Sequence, residues 1–503
     1  MKKGREILLT IVILSLLFVW VPKVYGGPAT HFQVIVPSTA KIGVPFNITI
    51  KALDANGLID AGYTGTVNLT VNSSVGLTIS ASTPALPYTF VAADAGVKTF
   101  QITLSGSNIS TPWNTATITA QDTGTPSING ISSGFQVTGG VPDHFKIDLS
   151  STNITAGDSI TFTVTVQDAN NNTVGDYNQT VIFTSSDPQA VFSPSTYTFI
   201  PADNGIHTFV NGVTLKTAGS QTITVSDSSV SSTSATITVG FSTLHHFNIT
   251  ASTLTPTAGA TFDITVTAVD EYNNTITNYL GTVHFATTDP NTSVSLPPDS
   301  SLPGGTNTFV GGVILCTAGP QTIYVEDTSN SLIKGSLTLN VQPEPLASCS
   351  FQFDPIGPQT RGNPFSVTIK VVDSFGNVNQ SFSGIGFNAD LTSSAGTVTP
   401  STVGPFLNGV WSGNITLDTA SNTMTITASD PGLTVGNGTS NTFTVSDPDP
   451  ASFVFDPIPD QSIGNPFQIT VKAVDGSGRI VASWSGNVKL FVSTSGGTVT
   501  PNI

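Results

Sequence analysis

The chain has 503 residues, with 15 Lys plus Arg against 31 Asp plus Glu, a formal net charge of −16, and only 9% charged residues. One hydrophobic core does not normally span that length, so several domains are expected. The acidic balance excludes nucleic acid as a partner, which needs basic patches, and is wrong for anionic lipid surfaces.

The N-terminal stretch, residues 1–26, reads as a signal peptide. Lys2, Lys3 and Arg5 form a basic start, Ile7 to Val21 is almost wholly apolar, and Val24-Tyr25-Gly26 offers a cleavage site. The apolar run is shorter than the ~20 residues a membrane span needs. No later segment is apolar and long enough to span a membrane. The expected location is therefore secreted or cell surface.

Past the leader, one pattern is written five times. An Asp closing an alternating apolar run recurs at Asp54, Asp168, Asp270, Asp373 and Asp475, in steps of 114, 102, 103 and 102 residues. A Gly stands eleven residues before each: Gly43, Gly157, Gly259, Gly362 and Gly464. An aromatic follows nine residues after: Tyr63, Tyr177, Tyr279, Phe382 and Trp484. Such a period marks a tandem array, here of units large enough to hold their own cores. The expected boundaries are 29–139, 142–241, 244–342, 347–446 and 451–503, the last incomplete and the chain a fragment of a longer protein. Repeat one is longer than the rest, and the extra residues are expected around Gly124 to Ser133. Pro343, Pro345, Pro448 and Pro450 lie at junctions and predict semi-rigid joints.

Within repeat two, Ser159 to Gln167 places Ile160, Phe162, Val164 and Val166 on one face and Thr161, Thr163 and Thr165 on the other. Period two marks a half-buried strand. Seven such strands, separated by turn formers, predict an all-β fold of tandem immunoglobulin-like β-sandwich domains. Phe46, Ile160, Phe262, Phe365 and Phe467, eight before each Asp, are expected to plug the cores. The aromatic after the Asp is expected to open the third strand and cap the core.

The run Ala258-Gly259-Ala260-Thr261-Phe262-Asp263-Ile264-Thr265-Val266-Thr267-Ala268-Val269-Asp270, followed by Tyr279-Leu280-Gly281-Thr282-Val283, resembles the bacterial Ig-like repeat. Thr217-Ala218-Gly219-Ser220-Gln221-Thr222-Ile223 and Thr317-Ala318-Gly319-Pro320-Gln321-Thr322-Ile323 carry the same likeness. The resemblance implies a surface or secreted protein in which the repeats act as stalks, adhesin spacers or modules beside enzymes.

Chemistry-bearing residues are few. Asp168, Asn170 and Asn172, and Asp54 with Asn56, put oxygens at alternate positions after a strand, which makes Asp54, Asp168 and Asp270 calcium candidates. The competing reading is turn hydrogen bonding to nearby backbone. The six histidines, His31, His144, His207, His245, His246 and His284, form no ligand motif, and adjacent His245 and His246 are expected on opposite strand faces. Cys316 and Cys349 are both expected at one end of repeat three, where either a disulfide clamps the joint or two free thiols remain. Sequons at Asn47, Asn68, Asn108, Asn153, Asn248 and Asn414 are no more than an Asn- and Thr-rich chain supplies. Trp113 and Trp411 are the aromatics that a carbohydrate-binding array would use.

No H-E-x-x-H and no Gly-rich phosphate loop after a strand is present, so no enzyme, cofactor or small-molecule substrate is expected. The reading is an extracellular structural repeat protein, a stalk or adhesion spacer whose ligands would be surface proteins or carbohydrates. The alternative is the accessory N-terminal region of a secreted enzyme such as a polysaccharide hydrolase.

Overall fold

The structure is a computed structural model that describes residues 26–491 and 493. The signal-peptide assignment lies outside the described residues except for Gly26, as does the end of the fifth repeat. The described chain is all-β, with four 3-10 turns as its helical elements. It forms two compact units, 1–242 and 243–503, each taken by itself below.

Repeat two shows the architecture. Strand Ser159–Asp168 pairs antiparallel with Pro142–Leu149 on one side and Ile206–Thr214 on the other, and Val191–Phe192 closes that sheet. The facing sheet carries Thr196–Thr198, Thr180–Ser185, Ile223–Ser226 and Ser231–Thr233 in that order. Ile237–Gly240 pairs antiparallel with Gly219–Gln221 and parallel with the short strand Asn153–Thr155. Two antiparallel sheets over one core, with a short strand near the start brought parallel to the last strand, define the immunoglobulin-like sandwich. Equivalent sheets recur in repeats one, three and four.

The alternation read from sequence decides the faces. Ile160, Phe162, Val164 and Val166 are all buried. On the outer face Thr163 and Thr208 pair hydroxyl to hydroxyl at 2.9 Å, and Thr265 and Thr308 do so at 2.8 Å. Such cross-strand pairs stabilise a polar sheet face that contains few charges. Repeat one has a separate apolar cluster running from Phe32 to Val137, and repeat four another from Cys349 to Val445. Ile160, Phe262 and Phe365 fill cores as expected, whereas Phe467 is half exposed.

Three expectations need correction. The recurrent aromatic does not open the third strand; Tyr63 and Tyr177 precede strands Thr66–Ser73 and Thr180–Ser185 by a turn. There its hydroxyl donates to a strand-end carboxylate, Tyr63 to Asp122 and Tyr177 to Asp227 at 2.5 Å. Tyr279 does the same to Asp327 at 2.6 Å. A buried phenol needs such a partner, which the aromatic spacing alone does not reveal. The extra length of repeat one is not confined to residues near Gly124. Much of it is the connection 106–113 between strands Val97–Ser105 and Asn114–Asp122, where repeat two has only 215–218. Finally, His245 and His246 do not diverge; their Nδ1 atoms lie 3.1 Å apart.

The repeat-marking Gly has a positive φ in every repeat, from 76° at Gly43 to 94° at Gly157. Its N–H donates to a carbonyl at the end of the strand that pairs with the one it precedes, Ile206–Thr214 in repeat two: Gly43 to Leu104, Gly157 to Leu215, Gly259 to Leu315 and Gly362 to Leu417. The left-handed turn aims that N–H, and glycine adopts it without the strain a Cβ would add.

In repeat five the described residues include one two-stranded sheet, Ser452–Phe455 with Val471–Val474. Phe453, Val454, Phe455, Phe467 and Phe491 are exposed there.

Candidate functional site: the joints between repeats

The residues singled out by sequence converge on the ends of the repeats. Asp168 ends its strand, and its Oδ1 accepts N–H groups from Asn170 and Asn172, both at 2.9 Å. Its Oδ2 accepts the Gly140 N–H at 2.8 Å, from the linker that joins repeat one to repeat two. Asp54 holds Asn56 and Leu58 through Oδ1, and Gly27 through Oδ2 at 2.9 Å. Asp373 holds Phe375 and Asn377 through Oδ1, and the linker residue Glu344 through Oδ2 at 3.1 Å. One carboxylate oxygen closes a turn and the other captures the incoming chain. Asp270 likewise closes its turn on Tyr272 and Asn274. The calcium candidates Asp54, Asp168 and Asp270 therefore direct their oxygens at N–H donors. Among the described residues no three His, Cys, Asp or Glu side chains group as a metal site. The N–H donors from Gly27 and Leu58 hold the Asp54 carboxyl below the usual carboxylate range.

The Asn four residues after the Asp completes the joint. Fully buried Asn172 donates to the Gly106 carbonyl at 2.9 Å and accepts the Ile109 N–H at 3.0 Å, both in repeat one. Asn377 donates to the Cys316 carbonyl at 2.7 Å and accepts the Ala318 N–H at 2.8 Å, both in repeat three. A side-chain amide that pairs donor with carbonyl and acceptor with N–H reads backbone as a strand partner would. Repeat one has Leu58 at this position and repeat five has Arg479. The Asp–Asn spacing was visible in sequence as a turn signal; its reach into the preceding repeat was not.

The long connection of repeat one adds to the first joint. Ile109 accepts the Thr173 N–H at 2.9 Å, and the Trp113 indole donates to Asn204 at 3.1 Å. Lys41 pairs with Asp176 at 2.7 Å beside a cleft of about 210 Å³ walled by Phe46 and Trp113. That space is below the ~300–1,000 Å³ of ordinary ligand pockets. Trp113 is thus committed to the joint, and Trp411 packs on the core of repeat four.

Both cysteines sit where the third and fourth repeats meet. Cys316 offers its carbonyl to Asn377, and Cys349 Sγ lies 3.5 Å from Asn379 Nδ2. The two cysteines form no disulfide in the structure; both are free, buried thiols. Burial pushes both thiols up, away from the reactive thiolate. Of the histidines, His207 bonds Asp203 at 2.8 Å and stacks on Tyr197, His144 bonds Asp143, and His284 bonds Asp299. His31 bonds Thr30. Only His245 and His246 come together, and no third ligand-type side chain joins them among the described residues.

No protein-family profile matches the chain, and no curated protein does. Solved structures that match the chain include FdeC, an Escherichia coli adhesin, at 18% identity over 63% of this chain and 99% of that one, with a TM-score of 0.34. The S-layer protein SbsC matches at 16% identity over 89% of this chain, which spans 58% of its length, with a TM-score of 0.19. The D0-D1 domain of intimin matches at 19% identity over 42% of this chain and all of that one, with a TM-score of 0.16. The chain is a tandem immunoglobulin-like β-sandwich protein on its own strand order and pairing.

Proposed function

We propose that this protein is an extracellular spacer of the stalk or adhesion type, in which the joints transmit orientation from one sandwich to the next. The observation that supports this most is the buried Asp–Asn latch, which ties strand ends of neighbouring repeats through backbone. A flexible bead-chain would use mobile linkers with few bonds; here the linker residues Gly140 and Glu344 are themselves hydrogen-bonded to the next repeat. The reading assigns no catalysis to the described residues. It places the protein at or outside the cell surface, with surface proteins or carbohydrates as adhesion ligands.

Small-angle scattering of the purified chain tests the reading. A spacer gives a maximal dimension that grows by roughly 35–40 Å per repeat, the length of a ~10-residue strand plus loops. A compact particle would rule it out. The adhesion half is tested separately by binding of the fluorescent chain to cells or matrix, with loss of binding when loops at repeat ends are exchanged.

A further inference from the structure

The joint between repeats four and five is built from different chemistry. In repeats one to three the residue before the marking Gly is buried and aliphatic: Ile42, Ala156 and Ala258. Repeat four puts Arg361 in that slot, and it too is buried, with its side chain 8% exposed. Its Nε lies 2.9 Å from Asp447 Oδ1 in the linker, as an ion-pair contact without hydrogen-bond alignment. Its second guanidinium nitrogen lies 3.2 Å from Asp475 Oδ2 and 3.3 Å from the Ile480 carbonyl, both in repeat five. Asp447 in turn accepts the Ser483 hydroxyl of repeat five at 2.9 Å.

The swap has a physical reason. Asp475 closes its turn on Ser477 and Arg479 through Oδ1, as its counterparts do, which leaves Oδ2 to face the preceding repeat. The linker there is Asp447-Pro448-Asp449-Pro450, in which the prolines offer no N–H. The Asn that reads backbone in the joints before repeats two and four is absent, with Arg479 in its place. Arg361 supplies the missing donors from the repeat-four side. A planar guanidinium between two carboxylates is a directional clamp that an aliphatic side chain cannot imitate.

We propose that Arg361 is a pin that joins repeat four selectively to a repeat whose Asp turn lacks the latch Asn. Within the two compact units the joints are then of two kinds: those before repeats two and four, where Asn172 and Asn377 read backbone, and the one before repeat five, where the Arg361 guanidinium reads carboxylates. This rests on the spacer reading only for its purpose; the pin itself is a property of one joint.

The test uses the full chain carrying spin labels at Ser401→Cys in repeat four and Gln461→Cys in repeat five. Both positions are exposed, while the native thiols are buried and resist labelling. The unsubstituted joint gives one narrow distance distribution. Arg361→Ala broadens it severalfold, while the melting of repeat four stays intact because Ala156 and Ala258 fill that slot natively. Asp447→Asn with Asp475→Asn broadens it as well, since Asn keeps the turn bonds but not the charge. An unchanged narrow distribution in Arg361→Ala overturns the pin, and one in the double Asn variant overturns its ionic character. A compact particle in scattering with a narrow label distance would sink the spacer reading and leave the pin standing.

Discussion

Buried aspartates set the chemistry of this protein residue by residue. Asp187 is buried, which works against its charge, but the Thr217, Lys216 and Gln189 donors outweigh that and hold its carboxyl below the usual range. Asp289 behaves alike with Thr317 and Cys316, as does Asp227 with Tyr177 and Ser229. A carboxylate whose folded value is depressed stabilises the fold above its unfolded value, near ~3.9, and loses that contribution as pH falls through the lower folded value. The melting temperature should therefore be flat from neutral pH to about 5 and fall steeply below about 4; a decline beginning near pH 6 would contradict it. The Tyr–Asp bonds carry a second test. Tyr177→Phe leaves Asp227 one donor short and should cost ~1–3 kcal/mol in denaturant unfolding. Repeat four shows the natural alternative: Phe382 replaces the Tyr, and the Thr434 hydroxyl serves Asp430 instead.

At the level of the element, turns and joints are one device. The marking Gly makes a left-handed turn, and the Asp makes the next one; between them lies the strand that pairs with both neighbours. Gly43 has φ +76° and open space where a Cβ would go. Gly43→Ala should thus cost only backbone strain, ~1–2 kcal/mol by denaturant unfolding. Gly259 has the same φ, but a Cβ there would stand 2.5 Å from the Phe375 ring of repeat four. Gly259→Ala should cost more and should also disturb the joint, which labels placed across it would report. The latch gives a third expectation. Asn172→Ala removes two bonds to repeat one and should widen the label-distance distribution across that joint. Chelation with EGTA should leave both the joint and the melting temperature unchanged, because the Asp168 oxygens already accept N–H donors.

For the molecule as a whole, separate cores imply separate melting. The apolar clusters of repeats one and four share no residue. A ~100-residue sandwich unfolds with an enthalpy of about 70 kcal/mol. Scanning calorimetry should give a van't Hoff enthalpy near that of one repeat and a calorimetric enthalpy severalfold larger. Equal values would mean that the repeats unfold as one cooperative body.

Much of the fold was legible because period-two alternation and period-100 recurrence are local patterns that backbone geometry and core burial enforce directly. Ser159 to Gln167 could be assigned faces from its letters alone, and Gly157 and Asp168 could be placed in turns. The short strands Asn153–Thr155 and Val191–Phe192 were not legible, since two or three residues carry no periodicity. The joint chemistry was half legible: Asp168 and Asn172 stood out as oxygen-bearing turn residues, but their partners, the Gly140 and Ile109 N–H groups and the Gly106 carbonyl, lie far away in the chain. Arg361 carried no motif at all, and only the proximity of Asp447 and Asp475 gives it a role. Composition and spacing alone determined that this is an array of β-sandwiches, because strand faces and turns are local. Tertiary structure alone decided what each repeat end recognises, because a hydrogen-bond partner is chosen by position in space.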